Sequence, residues 1–212
     1  VKEGGPDPAS NSKLKDIIAK AKTNNVPNDN IERVIKKAMG DGDKTNYEAN
    51  VYEGYGPCGV AVIVETLTDN KNRTAGDIRH YFDKFGGNLG TTGCVSFMFS
   101  EKGIIIVENT GLDEDKVMED IFDCGAADFT MDEDEIEIET EPSEVGAVRE
   151  ALTAKGYNVI SAEAMQIPST YTTLTDEDAI KKMNLLLEHL EDNDDVQNVY
   201  HNWDMPEEED ED

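Results

Sequence analysis

Apolar residues recur along this chain at two periods, and the places where the period changes outline its elements. In "NSKLKDIIAKAKTN" (residues 11–24) Leu14, Ile17, Ile18 and Ala21 fall at i, i+3, i+4 and i+7, which predicts an amphipathic helix with a lysine-rich outer face. "VPNDNIERVIKKAMGDG" repeats the pattern with Ile31, Val34, Ile35 and Ala38 inward, Pro27 near the first turn and Gly40 as C-terminal cap. Together they predict a helical hairpin. "YEANVYE" and "GVAVIVETL" predict two strands joined by "GYGPCG", the second apolar enough for a central position. A helix over 75–85 follows, opened by Thr74 and Asp77 in a capping-box spacing. It buries Ile78, Tyr81, Phe82 and Phe85, stops at Gly86–Gly87, and leads to a strand in "CVSFMF".

From residue 103 the order becomes strand, helix, strand, strand, helix, strand: "GIIIVE", "DEDKVMEDIFDCG", "AADFTM", "DEIEIET", "PSEVGAVREALTAKG" and "YNVISAEAMQI". That is the ferredoxin-like signature. A helix over 176–192 with Ala179, Ile180, Met183, Leu186, Leu187 and Leu190 inward, then the strand "VQNVYHN", would complete the sheet begun at 46–100. The fold class read from this order is α+β. It comprises a helical N-terminal domain (1–45), a discontinuous α/β domain (46–100 plus 168–204), an inserted ferredoxin-like domain (101–167) and an acidic, disordered tail (205–212). The opening "VKEGGPDP", without an initiator methionine, reads as the tail of an earlier element.

Charge changes the picture most. The net charge of −28 is unevenly spread: +2 over residues 1–45, −2 over 46–100, −15 over 101–167 and −13 over 168–212. Nucleic acid would be repelled by the C-terminal half and would have to meet the N-terminal half. Lys13, Lys20, Lys22, Arg33, Lys36 and Lys37 lie outside the apolar stripes of the hairpin, partly offset by Asp16, Asp29 and Glu32. "TDNKNRT" gathers Asn70, Lys71, Asn72 and Arg73 at a helix start, where amide, guanidinium and backbone donors favour an anion. The same asparagines would also serve to close a turn. Arg79 lies on that helix's outer face, where Asp83 at i, i+4 offers it a partner.

Other chemistry finds little support. Three widely spaced cysteines (Cys58, Cys94, Cys124) and three scattered histidines form neither a disulfide framework nor a zinc site, so no metal or cofactor is expected. In "DEIEIET" the alternation turns Ile136 and Ile138 inward and Glu135, Glu137 and Glu139 outward, the pattern of a solvated strand face. Cys58 sits in a tight turn with no sequence partner to activate it. Neither "GYGPCG" nor "GGNLG" follows a strand and opens a helix as a dinucleotide site requires. No stretch is long and apolar enough to span a membrane. The expectation is a cytoplasmic, non-enzymatic protein with no small-molecule substrate.

"GGPDP", "NNVPNDNIERVIKKAMG", "YEGYGPCGVAVIVETLTDNKNRTAGDIRHYFDKFGGNLG" and "IPST" resemble the YebC family, which includes the mitochondrial translational activator of cytochrome c oxidase I. The likeness covers essentially the whole chain and is most specific from Tyr52 to Gly90. It implies three domains, a basic opening segment of the "GHSKW" type that is absent here, and no enzymatic activity. Cys58 stands where the family usually has glycine, and Cys94 where it usually has serine. Members are commonly labelled DNA-binding transcriptional regulators, whereas others resemble ribosome-associated translation factors. The resemblance therefore implies DNA, or rRNA and tRNA on the ribosome, as partner, with basic ribosomal proteins as further candidates. The charge distribution favours RNA in a crowded particle over a lone duplex. A protein–protein adaptor built on the acidic ferredoxin-like part is a third reading.

Overall fold

The computed structural model describes residues 1, 4–23, 25–39 and 46–205. The cap assigned to Gly40, the side chain of Asp16 and the acidic tail beyond Met205 lie outside the described residues. The chain divides into two compact units, one of residues 1–44 and 101–165, the other of 45–100 and 166–212.

The first unit opens with helices α1 (Ser12–Thr23) and α2 (Asn28–Met39). Leu14 is buried, as its place in the stripe requires. Ile17 and Val34, predicted inward, are instead 65% and 61% exposed. Two short helices share only a narrow seam, so part of each stripe has no described neighbour to cover it. Ion pairs from Lys15 to Glu150 and from Lys20 to Glu163 tie α1 to the rest of the unit.

That remainder holds β4 (Phe99–Glu108), α4 (Glu114–Asp123), β5 (Asp128–Met131), β6 (Glu135–Thr140), α5 (Val145–Lys155) and β7 (Val159–Pro168), so the sheet strands follow β1 (Glu48–Tyr55), β2 (Ala61–Thr68) and β3 (Asn88–Leu89) of the second unit. The sheet order β5-β6-β4-β7 is the ferredoxin-like arrangement predicted from the alternation. Ile105, Val107, Ile136 and Ile138 pack under α4 and α5 against Val117, Ile121, Val148 and Leu152. Glu135 and Glu137 face outward, and Glu139 pairs with Lys102 at 2.7 Å.

In the second unit β1 and β2 pair antiparallel over their full length, from Glu48↔Thr68 to Tyr55↔Ala61. The sheet order is β3-β1-β2-β9, with β9 (Val196–His201) antiparallel to β2. Alternate residues of β2 serve two faces. Val62 and Val64 pack with Ile78 and Phe82 of α3 (Lys71–Lys84) and with Met183, Leu186 and Leu190 of α6 (Glu177–Glu191). Ala61 and Ile63 look the other way, toward Val95, Cys94 and Met98. A small parallel pair, β8 (Thr172–Thr173) with β10 (Trp203–Asp204), completes the unit.

Three expectations need correction. Helix α3 begins at Lys71, not at residue 75, and its cap is Asn70 rather than Thr74. "CVSFMF" is not a strand: residues 96–98 form a 3₁₀ turn, and β4 starts at Phe99. Its backbone is turned aside because Glu53 takes the N–H groups that a ladder would need. The i, i+4 pair of Arg79 with Asp83 does not form; Arg79 makes no ion pair with a described residue.

Candidate nucleic-acid interface

Asn70 explains why α3 starts where it does. Its side-chain oxygen accepts the Arg73 N–H at 3.2 Å, and its own N–H donates to Thr68 Oγ1 at 2.9 Å. Thr74, one turn in, is buried and donates its hydroxyl to Asp195 Oδ2 at 2.7 Å. Arg73 folds back onto the same carboxylate, with Nη2 2.9 and 2.7 Å from the two Asp195 oxygens and 3.1 Å from Asp69. Burial pushes the Asp195 carboxyl upward, but hydrogen bonds from Arg73, Thr74 and Thr68 outweigh it and leave the pKa below the usual range. The hydrogen bond to Asp195 in turn raises Arg73.

This arrangement redistributes the residues singled out in the sequence. Asn70 is engaged as a cap, and Arg73 as a clamp between the start of α3 and the turn before β9. Asn70 Oδ1 and Arg73 Nη2 are spent on these internal partners. Lys71, Asn72 and Arg79 are exposed, and neither Lys71 nor Arg79 makes an ion pair with a described residue. Near the other end of α3, Lys84 lies 3.4 Å from His189 and over the Phe85 ring.

On the helical pair the six basic residues singled out in the sequence separate likewise. Lys20 is paired with Glu163, Lys36 lies 3.9 Å from Glu32, and Arg33 donates to Asn30 Oδ1 at 3.2 Å. Lys13, Lys22 and Lys37 are exposed, with no ion pair to a described residue. These three lysines and Arg33 are exposed cations of α1 and α2 that no described carboxylate pairs.

Two acidic residues central to this part of the fold carried little sequence signal. Glu53, only 4% exposed, accepts N–H bonds from Gly93 (2.7 Å), Val95 (3.0 Å) and Ser96 (2.9 Å). Burial works to raise its pKa and the three backbone donors lower it further than that, so it stays ionised. A charged residue at an inward strand position ahead of a glycine-rich loop was the available cue. Asp195 offered none, since its partner stands 122 positions away.

Nucleophilic chemistry is not organised at either cysteine near this sheet. Burial, then the Glu53 charge, pushes the Cys94 thiol up, away from thiolate. Cys58 is exposed in a 3₁₀ turn (Pro57–Gly59) with φ +54°. No group of three or more His, Cys, Asp or Glu suited to a metal occurs among the described residues. No helix described is long and apolar enough to cross a membrane.

Comparison with known proteins gives a consistent result. A protein of Acetivibrio thermocellus, named probable transcriptional regulatory protein, is 61% identical over 204 residues, covering 96% of this chain and 84% of that protein. A protein of the same name from Ruminiclostridium cellulolyticum is 59% identical over 212 residues, 100% of this chain and 86% of that one. The crystal structure of a conserved hypothetical protein from Aquifex aeolicus superposes with a TM-score of 0.85 at 42% identity, over 98% of this chain and 85% of that one. The family model described as TACO1/YebC protein N-terminal domain matches residues 1–41, and that described as TACO1/YebC second and third domain matches residues 47–203. The chain belongs to the TACO1/YebC family.

Proposed function

We propose that this protein is a non-enzymatic regulator of gene expression that acts in the cytoplasm by binding nucleic acid through the outer face of α1 and α2. The carrying observation is the set Lys13, Lys22 and Lys37. These are exposed cations without ion pairs to described residues, in a chain of net charge −28. Cations that no described carboxylate engages are available to an outside anion, and phosphate is a ligand that uses them. Lys71 and Arg79, with the neutral amide of Asn72, offer a second set with two cations on α3. The names of the relatives, probable transcriptional regulatory protein, agree with a role in gene expression.

Charge selects among nucleic-acid partners. Each phosphate neutralised adds affinity for duplex DNA, and residues beyond 45 repel it with a net −30. RNA within a ribosome relieves this, because basic ribosomal proteins lie beside it and offset an acidic body. The second reading, translation on the ribosome, therefore fits the charge better than transcription at a promoter.

The two separate in one experiment. The protein is sedimented with ribosomes and, in parallel, titrated with random duplex DNA across salt. Co-sedimentation at physiological salt with duplex binding weaker than micromolar is expected. Submicromolar duplex affinity with a steep salt slope and no ribosome association overturns the translation reading. Absence of binding in both arms overturns the proposal itself.

A further inference from the structure

The sheet of the second unit has an edge that its own strands leave half covered. In the order β3-β1-β2-β9, strand β1 (Glu48–Tyr55) lies between a full-length partner and a very short one. β2 pairs with β1 from Glu48 to Tyr55, but β3 reaches only Gly54 and Tyr55. The next rung, from Gly90 N–H to Glu53 O at 2.8 Å, is the last on that side among the described residues. Along an unbroken strand, backbone groups of alternate residues point to the same side. Glu53 aims its carbonyl toward β3, so Val51 and Ala49 aim their N–H and C=O groups the same way. Asn50, between them, points to β2, where its carbonyl accepts from Thr66 Oγ1 at 3.0 Å. The outward groups of Ala49 and Val51 have no hydrogen-bond partner among the described residues.

Sheets commonly blunt such an edge with a lysine, a proline or a bulge. Residues 48–52 contain neither Lys nor Pro, and their register with β2 runs without a shift. That register also places the side chains beside the edge. Ala49 stands opposite Leu67 and Val51 opposite Glu65, on the sheet face that carries Ile63. On that face Val51 is 49% and Leu67 41% exposed, an apolar strip next to the open rungs. Glu48, Asn50 and Tyr52 take the other face. Every charge on β1 and β2 is negative: they carry Glu48, Glu53 and Glu65 and no Lys or Arg.

We infer that the open edge of β1, from Glu48 to Tyr52, takes up an extended segment of a partner protein as an added strand. The segment is apolar at alternate positions and basic between them. Its backbone completes the rungs that Ala49 and Val51 leave open, which is the source of affinity in strand addition. Its apolar side chains lie beside Ala49, Val51 and Leu67, and its basic ones fall on the opposite face, beside the exposed Glu48. Charge selects a foreign segment over a second copy of this chain, because a second copy would bring its own Glu48 and a further net −28 to the same edge. The edge lies within the second unit and is independent of the nucleic-acid reading, which uses the helical pair.

The test uses the full chain and three synthetic peptides: an alternating Val/Lys peptide, the same peptide with its central valine replaced by proline, and an alternating Val/Glu peptide. Affinity is measured by titration, and amide hydrogen exchange reports which backbone groups are covered. The Val/Lys peptide should bind and protect the Ala49 and Val51 amides. The proline peptide keeps the charge but lacks a rung, and should bind at least about tenfold more weakly. The Val/Glu peptide should not bind. Val51→Pro removes an N–H that the β1–β2 ladder does not use, so the variant should fold and lose at least about tenfold in Val/Lys affinity. Ala49→Lys, at an exposed position, places a blocking cation on the edge and should weaken binding as well, should the proline ring disturb the strand. Absence of Val/Lys binding overturns the inference, as does binding that leaves both amides unprotected or is unchanged in the two variants. Equal binding of the proline or the Val/Glu peptide overturns it too. Protection of the two amides that grows with protein concentration alone would assign the edge to a second copy and overturn it likewise.

Discussion

The start of α3 and the outer face of the α1–α2 pair look alike in sequence, each with basic residues among amides and acids, yet they use their charge oppositely. At the start of α3 the arginine is satisfied internally: Arg73 clamps Asp195 at 2.7 Å and Asp69 at 3.1 Å, and Asn70 caps the helix. On α1 and α2 Lys13, Lys22 and Lys37 have no such partners among the described residues. A basic residue within a polar cluster is therefore poor evidence for phosphate binding until its own carboxylates have been counted. The lysines that no described carboxylate engages are the better candidates for function.

Perturbing internal charges should cost stability, and perturbing external ones should not. The largest effect is expected at Glu53, the buried carboxylate that organises residues 93–96. Glu53→Ala leaves three backbone N–H groups without their acceptor and should lower unfolding stability by about 3 kcal/mol in urea. An unchanged midpoint would mean the loop holds itself.

Arg73→Ala comes next, with a smaller drop in urea midpoint, because the clamp is half exposed and screened by water. The pH dependence follows from the direction of the shift. The folded pKa of Asp195 lies below its unfolded value. Its contribution is therefore present above the ordinary aspartate pKa of 3.8 and is lost as pH falls through the depressed folded value. The stability gap between wild type and Arg73→Ala should accordingly be constant from pH 5 to 7 and close below about pH 4. A gap that persists in strong acid would point to packing by the arginine stem instead.

Much of this contrast was invisible in the sequence, for definite reasons. Helix α3, the β2 core strand and the ferredoxin-like order could be read because each depends on local periodicity and length. The stripe of Ile78, Phe82 and Phe85 is buried as its spacing requires. Helix α3 starts four residues before the Thr74 cap signal predicts, because the Thr74 hydroxyl is spent on Asp195 instead. The strand expected at "CVSFMF" failed because Glu53, some 40 residues earlier, captures its backbone. Both misreadings come from a polar contact between distant segments, which periodicity does not encode. Of the candidate site, the exposure of the lysines on the hairpin was legible. Which of them were already paired was not, since Glu150 and Glu163 stand more than a hundred residues away.

The smallest stability effect is expected to be favourable. Cys58 adopts φ +54°, a left-handed conformation that costs a residue with a Cβ roughly 1–2 kcal/mol. Cys58→Gly relieves this, offset in part by the freer unfolded chain, and should stabilise by about 1 kcal/mol in the same urea assay. A destabilisation would mean that the cysteine side chain packs usefully in the turn.

The central claim, that function rests on the unpaired lysines of α1 and α2 and not on the arginine of α3, is tested most directly by the salt dependence of single-stranded RNA binding. Lys13→Ala/Lys22→Ala/Lys37→Ala should leave the urea midpoint unchanged and reduce the slope of log K against log salt by about 2, at roughly 0.7 per lost phosphate contact. Arg73→Ala, compared where it is fully folded, should keep the wild-type slope. A triple variant with an undiminished slope, or an Arg73→Ala protein whose slope alone falls, would contradict the account.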